Sequence, residues 1–445
     1  MDKQSWYDER DDRLLRYPDA HRLDPRRWIA VTADAEYLAR PDGQAAALTA
    51  CNLLSRMTPS VAIAFEDVSI HSSLPWAGQS LHAVALGQMQ GADLHGEFCV
   101  RDTSAKDFHF HLGRAGGTIN AHGSGWNAWF GTGASPLSDG EASNITGSCF
   151  AVILAASQVF VHSYNVRQER FVANTLNWHS DLVSHGPLLG HSVNIGSVWT
   201  LGVGSVGSAA LYFLTLATRN FEPVLIDMDR VKLHNITRSP IFTYRHLRQL
   251  KVEVAKTFLL NAGLPHVDTD NKPLDESPLW LNRESGKADV IIAAANERQA
   301  RYHIEARFPP VQVYATTGEN WQTTLFRHLP GTNSCSLCQF PKDQAFGATG
   351  CATAPDLMVS TGEQIDASLP FLSFAAGMMT AAEILKLGLP GYPFSADRVF
   401  MYTRPEVSLL AGKLAHRDGC FCEGRDTGVH RQMNSTSRYD TLTGA

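Results

Sequence analysis

Two groups of side chains carry types and spacings that allow chemistry. The first starts at Gly202-Val-Gly-Ser-Val-Gly207, continues with Asp227-Met-Asp229, and adds Asn235-Ile-Thr-Arg238 and Gln249-Leu-Lys251. Glycines at 202, 204 and 207 let backbone N–H groups approach a phosphate at a helix N-terminus, and an acid on the next strand suits a ribose hydroxyl. Alone, this order fits a dinucleotide dehydrogenase equally well. Arg238 and Lys251 shift the balance, because a dinucleotide pyrophosphate is bound mainly by backbone and helix end. A triphosphate attacked at its α-phosphorus needs cations beside it.

The second group is sulfur. Cys335-Ser-Leu-Cys338 follows Leu329-Pro-Gly-Thr-Asn, and Cys420-Phe-Cys422 comes far downstream. Two thiolate pairs suit a tetrahedral four-cysteine zinc site that staples distant segments. Cys351 stands apart in Gly347-Ala-Thr-Gly-Cys351-Ala-Thr, where small neighbours leave a thiol open to attack an activated acyl group. Cys51, Cys99 and Cys149 sit in apolar or helical settings and read as packing residues.

The elements that must position these groups are legible. Val198 to Val203 reads as a strand, Ser208 to Leu216 as a helix, and Pro223-Val-Leu-Ile as a second strand ending in Asp227, with Asp229 on the same strand face. Asp289 to Ala295 is a further strand, running into Asn296 and Glu297. Phe371 to Leu385 is apolar except for Glu383, too short to span a bilayer, and reads as a buried helix.

This combination resembles the adenylating enzymes of the ubiquitin-activating, MoeB and ThiF superfamily, and the resemblance covers roughly the second half of the chain, to Cys422. It implies an α/β, Rossmann-like adenylation domain over 191–422. It places Asp227 on the ATP ribose and Asn235, Arg238 and Lys251 on ATP, the last two on the phosphates. Where the family ends a strand in Asp to hold Mg²⁺, this chain has Asn296, whose neutral oxygen lacks the charge a hard cation prefers. Asp229 or Glu297 then compensates, or the metal binds more weakly. The second cysteine pair is one residue tighter than the family's usual CxxC. Cys351 lies where relatives that form a thioester carry their cysteine.

Residues 1–190 hold a second α/β pattern without a glycine fingerprint. A strand at Arg27-Trp-Ile-Ala-Val-Thr, a helix from Gln44 to Ser55 and a strand from Val61 to Asp67 repeat the later order, with the phosphate loop eroded to Ala33-Asp-Ala-Glu-Tyr. The small-residue run Gly147 to Phe160 resembles Ser373 to Leu385. The expectation is a degenerate, inactive copy, against an unrelated α/β domain. Residues 104–140 are rich in Gly, Ser and His and read as loops, except that Phe108-His-Phe-His111 forms an ordinary strand with both histidines on one face. The halves divide near 180–197. Adenylating units of the family work in pairs, as homodimers or with a dead partner fused in one chain. A partner unit's N-terminal segment supplies an arginine; Arg10, Arg13 and Arg16 cluster here, Arg13 being the first choice. Removing residues 1–20 is then expected to impair ATP use with little effect on folding.

Composition bounds the rest. The 445 residues are 44% hydrophobic and 18% charged, with net charge −6, which favours neither nucleic acid nor anionic membrane as partner. A charged N-terminus without a signal-like apolar run, and eight cysteines, suit a reducing cytoplasm. The polar tail 423–445 reads as disordered. The resemblance implies ATP, Mg²⁺ and Zn²⁺ as cofactors and a small ubiquitin-like or sulfur-carrier protein as substrate. Its carboxylate would be adenylated, passed to Cys351 as a thioester and handed to a conjugating partner, as in bacterial conjugation systems linked to antiphage defence. Sulfur-carrier adenylation without a thioester, and an inactive adenylation-fold scaffold, are the alternatives.

Overall fold

A computed structural model describes residues 2–17, 19–138, 140–181, 186–190, 193–282, 288–295, 298–305, 311–318, 320–329, 333–339, 368–389, 396–420, 422, 438 and 439. The first half opens with two short helices, α1 (Lys3–Arg10) and α2 (Asp12–Leu15). It continues β1 (Ile29–Ala33), α3 (Ala35–Leu38), α4 (Pro41–Met57), β2 (Ser60–Ile63), α5 (Leu81–Ala92), β3 (Glu97–Val100), β4 (Phe108–Leu112), β5 (Ile119–Ser124), β6 (Asn127–Gly131), α6 (Thr146–Val161) and β7 (Arg170–Asn174). The second half runs β8 (Gly196–Leu201), α7 (Ser205–Ala217), β9 (Phe221–Ile226), α8 (Leu233–Ile236), α9 (Lys251–Asn261), β10 (Asp268–Asp270), α10 (Pro278–Asn282), β11 (Val290–Ala293), α11 (Arg298–Glu305), β12 (Val311–Gly318), β13 (Gln322–His328), α12 (Ser336–Gln339), α13 (Pro370–Lys386), β14 (Arg398–Tyr402) and β15 (Ser408–Gly412).

The two sheets share one plan. The first has the order β3-β2-β1-β4-β5-β6-β7, and the second β10-β9-β8-β11-β12-β13-β14-β15. In each, the first five strands are parallel and the strands after them antiparallel. A long buried helix, α6 or α13, joins the corresponding antiparallel strands. The second sheet adds one edge strand. Helices α4 and α6 lie against the first sheet and α13 against the second, and α13 also packs on α7, α6 and α4. One apolar core therefore runs through both halves.

Composition explains the central helices. Every residue of α13 and α4 is buried, and both start with proline at the first turn, where no N–H is lost from the helix. Gly377 is required by the crossing of α13 over α7, since a Cβ there would lie 2.3 Å from the Ala209 Cβ. No described helix is long and apolar enough to cross a membrane.

Three expectations need correction. Residues 104–140 are not loops throughout beyond the expected strand β4, since they also supply β5 and β6. Glycine is tolerated in β5 because α6 presses on it: a Cβ at Gly123 would meet the Ser148 backbone N at 2.1 Å. Strand β2 stops at Ile63, leaving Glu66 and Asp67 beyond it, where Asp67 accepts hydrogen bonds from Ser80 Oγ and the His82 N–H. Strand β9 stops at Ile226, so Asp227 and Asp229 stand on the loop beyond it, not on one strand face. Of the tail, Arg438 and Tyr439 are described: the Arg438 N–H donates to Asp289 at 2.7 Å, and buried Tyr439 donates to the Ile195 carbonyl at 2.9 Å.

Candidate active site

A cavity of about 550 Å³ opens where β8 and β9 end, the crevice position at which doubly wound sheets bind ligands. Its floor is the glycine loop. Gly202 has φ +93°, and a Cβ there would lie 2.7 Å from the Ala295 N. A Cβ at Gly207 would meet the Gly202 carbonyl at 2.1 Å, so the turn into α7 closes only with glycines at both places. Gly204 is the N-cap of α7, a helix with no acid in its first turn to compete with an anion.

Asp227 is nearly enclosed. It accepts the Val203 N–H at 2.6 Å and the Asp229 N–H at 2.8 Å, fixing the carboxylate beside the loop. Burial raises its pKa, opposed by Lys251. Asp229, with a side chain 57% exposed, pairs with Lys251 at 2.5 Å, and Lys251 reaches Asp227 at 3.9 Å. Lys251 is the first residue of α9, where the loop hands it to the cavity instead of to solvent. Asn235 sits in the single turn α8, and its Oδ1 accepts the Lys232 N–H at 2.9 Å. Arg238 follows, buried and lining the cavity.

Of the three N-terminal arginines, Arg13 lines the same cavity. Arg10 is buried in ion pairs with Asp11 and Asp93, and Arg16 pairs with Asp12. Arg13 is held in place by its neighbours. Its carbonyl accepts the Ser368 N–H at 3.1 Å, Leu14 and Tyr17 are buried, and the Tyr17 hydroxyl accepts the Trp321 N–H at 2.8 Å. Trp6 packs on Leu233 and Ile236. This corrects the expectation that residues 1–20 can be removed with little effect on folding, because they contribute core.

Lys232, His234 and Lys272 also line the cavity and escaped sequence reasoning. Lys232 and His234 adjoin the Asn235 motif, so proximity was an available signal; nothing local marks Lys272. Burial, with the cations of Arg13, Arg238, Lys232 and Lys251, pushes His234 down to about 2. The four cations beside it make this wall of the cavity positive. Asn296, Glu297 and Cys351 lie outside the described residues.

The corresponding place in the first half is filled differently. After β1, Asp34 occupies the turn: its Oδ1 meets His111 Nε2 at 3.1 Å and its Oδ2 accepts the Arg114 N–H at 2.8 Å. Thr32 contacts the other ring nitrogen at 2.9 Å. The acid that pairs with His111 is 77 residues away in sequence, so spacing along the strand does not reveal it.

The four sulfurs of Cys335, Cys338, Cys420 and Cys422 lie within 4.8 Å of one another. The pairs Cys335–Cys420 and Cys338–Cys422 are 3.3 Å apart, and Cys335–Cys338 4.0 Å. Zinc bound by four thiolates at about 2.3 Å separates them by about 3.8 Å, so the set fits. Backbone N–H groups of Arg417 and Cys335 point at Cys338 and Cys422 sulfurs, which favours thiolates. Buried Glu305 accepts the Ser336 N–H at 3.0 Å and its hydroxyl at 2.7 Å, holding the Cys335–Cys338 turn. Among the described residues this is the cluster with metal-binding geometry.

A glycine loop, an enclosed acid and converging cations on a doubly wound sheet suit a nucleotide phosphate, and together with the family match that follows they support an enzyme of the adenylyltransferase type. The ThiF family profile matches residues 192–417, and the chain belongs to the ThiF family. Similar solved structures include E. coli MccB with ATP, at 20% identity over 52% of this chain and 67% of that one, with a TM-score of 0.41. Another is the microcin C7 biosynthetic enzyme MccB in complex with N-formylated MccA, at 20% identity over 51% and 67%, with a TM-score of 0.40. No curated protein matches the chain.

Proposed function

We propose that the chain adenylates the C-terminal carboxylate of a small ubiquitin-like or sulfur-carrier protein, and that the first half is an inactive copy that completes the site. The observation that carries this reading is the meeting of Arg13, from the first half, with Arg238 and Lys251 around one glycine loop. A carrier carboxylate oxygen attacks the α-phosphorus of ATP, the bond to the bridging oxygen breaks, and pyrophosphate leaves. The product is an acyl-adenylate. Arg13, Arg238 and Lys251 neutralise charge that grows on the phosphates during this displacement. Asp227 holds the ribose while capping the loop. Magnesium would neutralise phosphate charge, and Asp229 is an exposed carboxylate lining the cavity that suits it.

The four-cysteine cluster holds zinc as a structural staple. The second step assigns Cys351 as the acceptor: its thiolate attacks the acyl carbon, AMP leaves, and the thioester passes to a conjugating partner. Support for this step is the small-residue loop and its place between the cysteine pairs. ATP–pyrophosphate exchange with a purified carrier tests the first step. Absence of exchange, with nucleotide bound, would leave an inactive scaffold. A carrier adduct cleaved by thiol, and lost in Cys351→Ala while exchange persists, tests the second.

A further inference from the structure

The segment bearing Asn235 and Arg238 is gripped by an arginine from the other half. Arg56, near the end of α4, is 1% exposed, and its hydrogen bonds go to an amide oxygen and to backbone carbonyls, not to a carboxylate. Its Nε donates to Asn52 Oδ1 at 2.8 Å. Its Nη1 donates to the carbonyls of Ile236 and of Phe242, the latter at 3.2 Å, and its Nη2 donates to the Pro240 carbonyl at 3.1 Å. Asn52 Nδ2 reaches the same Pro240 carbonyl at 3.2 Å. The three carbonyls flank Arg238 on both sides along the chain.

Burying a guanidinium among neutral acceptors is costly, and burial pushes Arg56 down to about 9. What the planar fork offers is several fixed donors to one irregular loop, which a lysine cannot match. On the loop's other side, Thr237 Oγ1 donates to the Arg10 carbonyl at 3.2 Å.

We propose that Arg56 is a positioning residue for adenylation, setting the backbone of residues 236–242 so that Arg238 enters the cavity in its working orientation. It gives the first half a task distinct from Arg13, and it rests on the adenylation reading above.

The test is a double-mutant cycle on exchange with the full chain. Arg56→Met should lower kcat/KM for ATP by about 10²-fold at a temperature where the variant is folded by circular dichroism. In an Arg238→Ala background the same change should cost less than about threefold, because Arg56 acts through Arg238. Phe110→Ala, a core truncation in the first sheet, supplies a folded but destabilised control that keeps wild-type exchange. Should Arg56→Met not fold, Asn52→Ala, which loosens the fork while leaving Arg56, should lower kcat/KM about tenfold with the same non-additivity. Folded single variants within about threefold of wild type, or losses that multiply with Arg238→Ala, would overturn the inference while leaving adenylation intact. A wild-type chain that binds ATP yet never exchanges would overturn the adenylation reading and this inference with it.

Discussion

At the residue scale, the cavity separates charges that bind from charges that position. Lys251 already pairs with Asp229 at 2.5 Å, so its Nζ is poised at the mouth of the site. Replacing Lys251 or Arg238 by alanine should reduce pyrophosphate exchange by about 10²–10³-fold while the chain stays folded. Arg13→Ala should lower exchange in the same direction with little change in melting temperature. That point variant is the proper probe of the N-terminal segment, because Trp6, Leu14 and Tyr17 make truncation a folding defect. Asp227, Asn235, Arg238 and Lys251 were readable because they follow the glycine loop at short range. Arg56 was not, because its carbonyl partners lie 180 to 186 residues away and nothing local announces them.

At the element scale, the thiolate cluster ties the Cys335–Cys338 turn, ahead of α13, to the chain after β15. Structural metal binding is folding free energy, so on the proposed zinc assignment removing the metal should destabilise this part of the chain. One equivalent of zinc is expected by elemental analysis. Cys338→Ser or a strong chelator should lower the melting temperature, and metal-free protein of unchanged stability would contradict the assignment. The β8–α7–β9 unit was legible from its pattern, since glycine spacing and apolar runs are local signals. Strands β5 and β6 were not. Gly123 in β5 is set by close contact with α6, a tertiary demand that outweighs local preference. The same holds for the end of β9, where Asp227 turns away to cap the loop instead of extending the strand.

At the scale of the whole molecule, a polar cluster crosses the junction between halves. Glu383 of α13 accepts from Trp178 Nε1 at 2.5 Å and pairs with Arg327 and Lys386. Against the cost of burial, Arg327 and Lys386 hold Glu383 down at about 2. Burial in turn pushes Lys386 down to about 8, which offsets part of that gain. A carboxylate depressed in the folded state stabilises above its unfolded value, and the contribution is lost as pH falls from about 4.5 towards 2. Glu383→Gln should therefore cost about 3–5 kcal/mol near neutral pH and flatten the acid branch of the stability curve. Chemical denaturation at pH 7, and at a series of pH values from 4.5 down to 2, checks both.

Asp34 has a consequence for how the chain titrates with ligand. Where the second half presents the N-terminus of α7 behind a glycine loop, the first presents a carboxylate already engaged with His111 and the Arg114 N–H. An incoming phosphate would meet like charge there and would have to displace two bonds. Calorimetry should count one nucleotide per 445-residue chain, not two. The isotherm should be a simple hyperbola, since a chain with one site has no sister site to inform. Asp34→Gly should leave that count at one, because removing the repulsion does not restore the missing glycine turn.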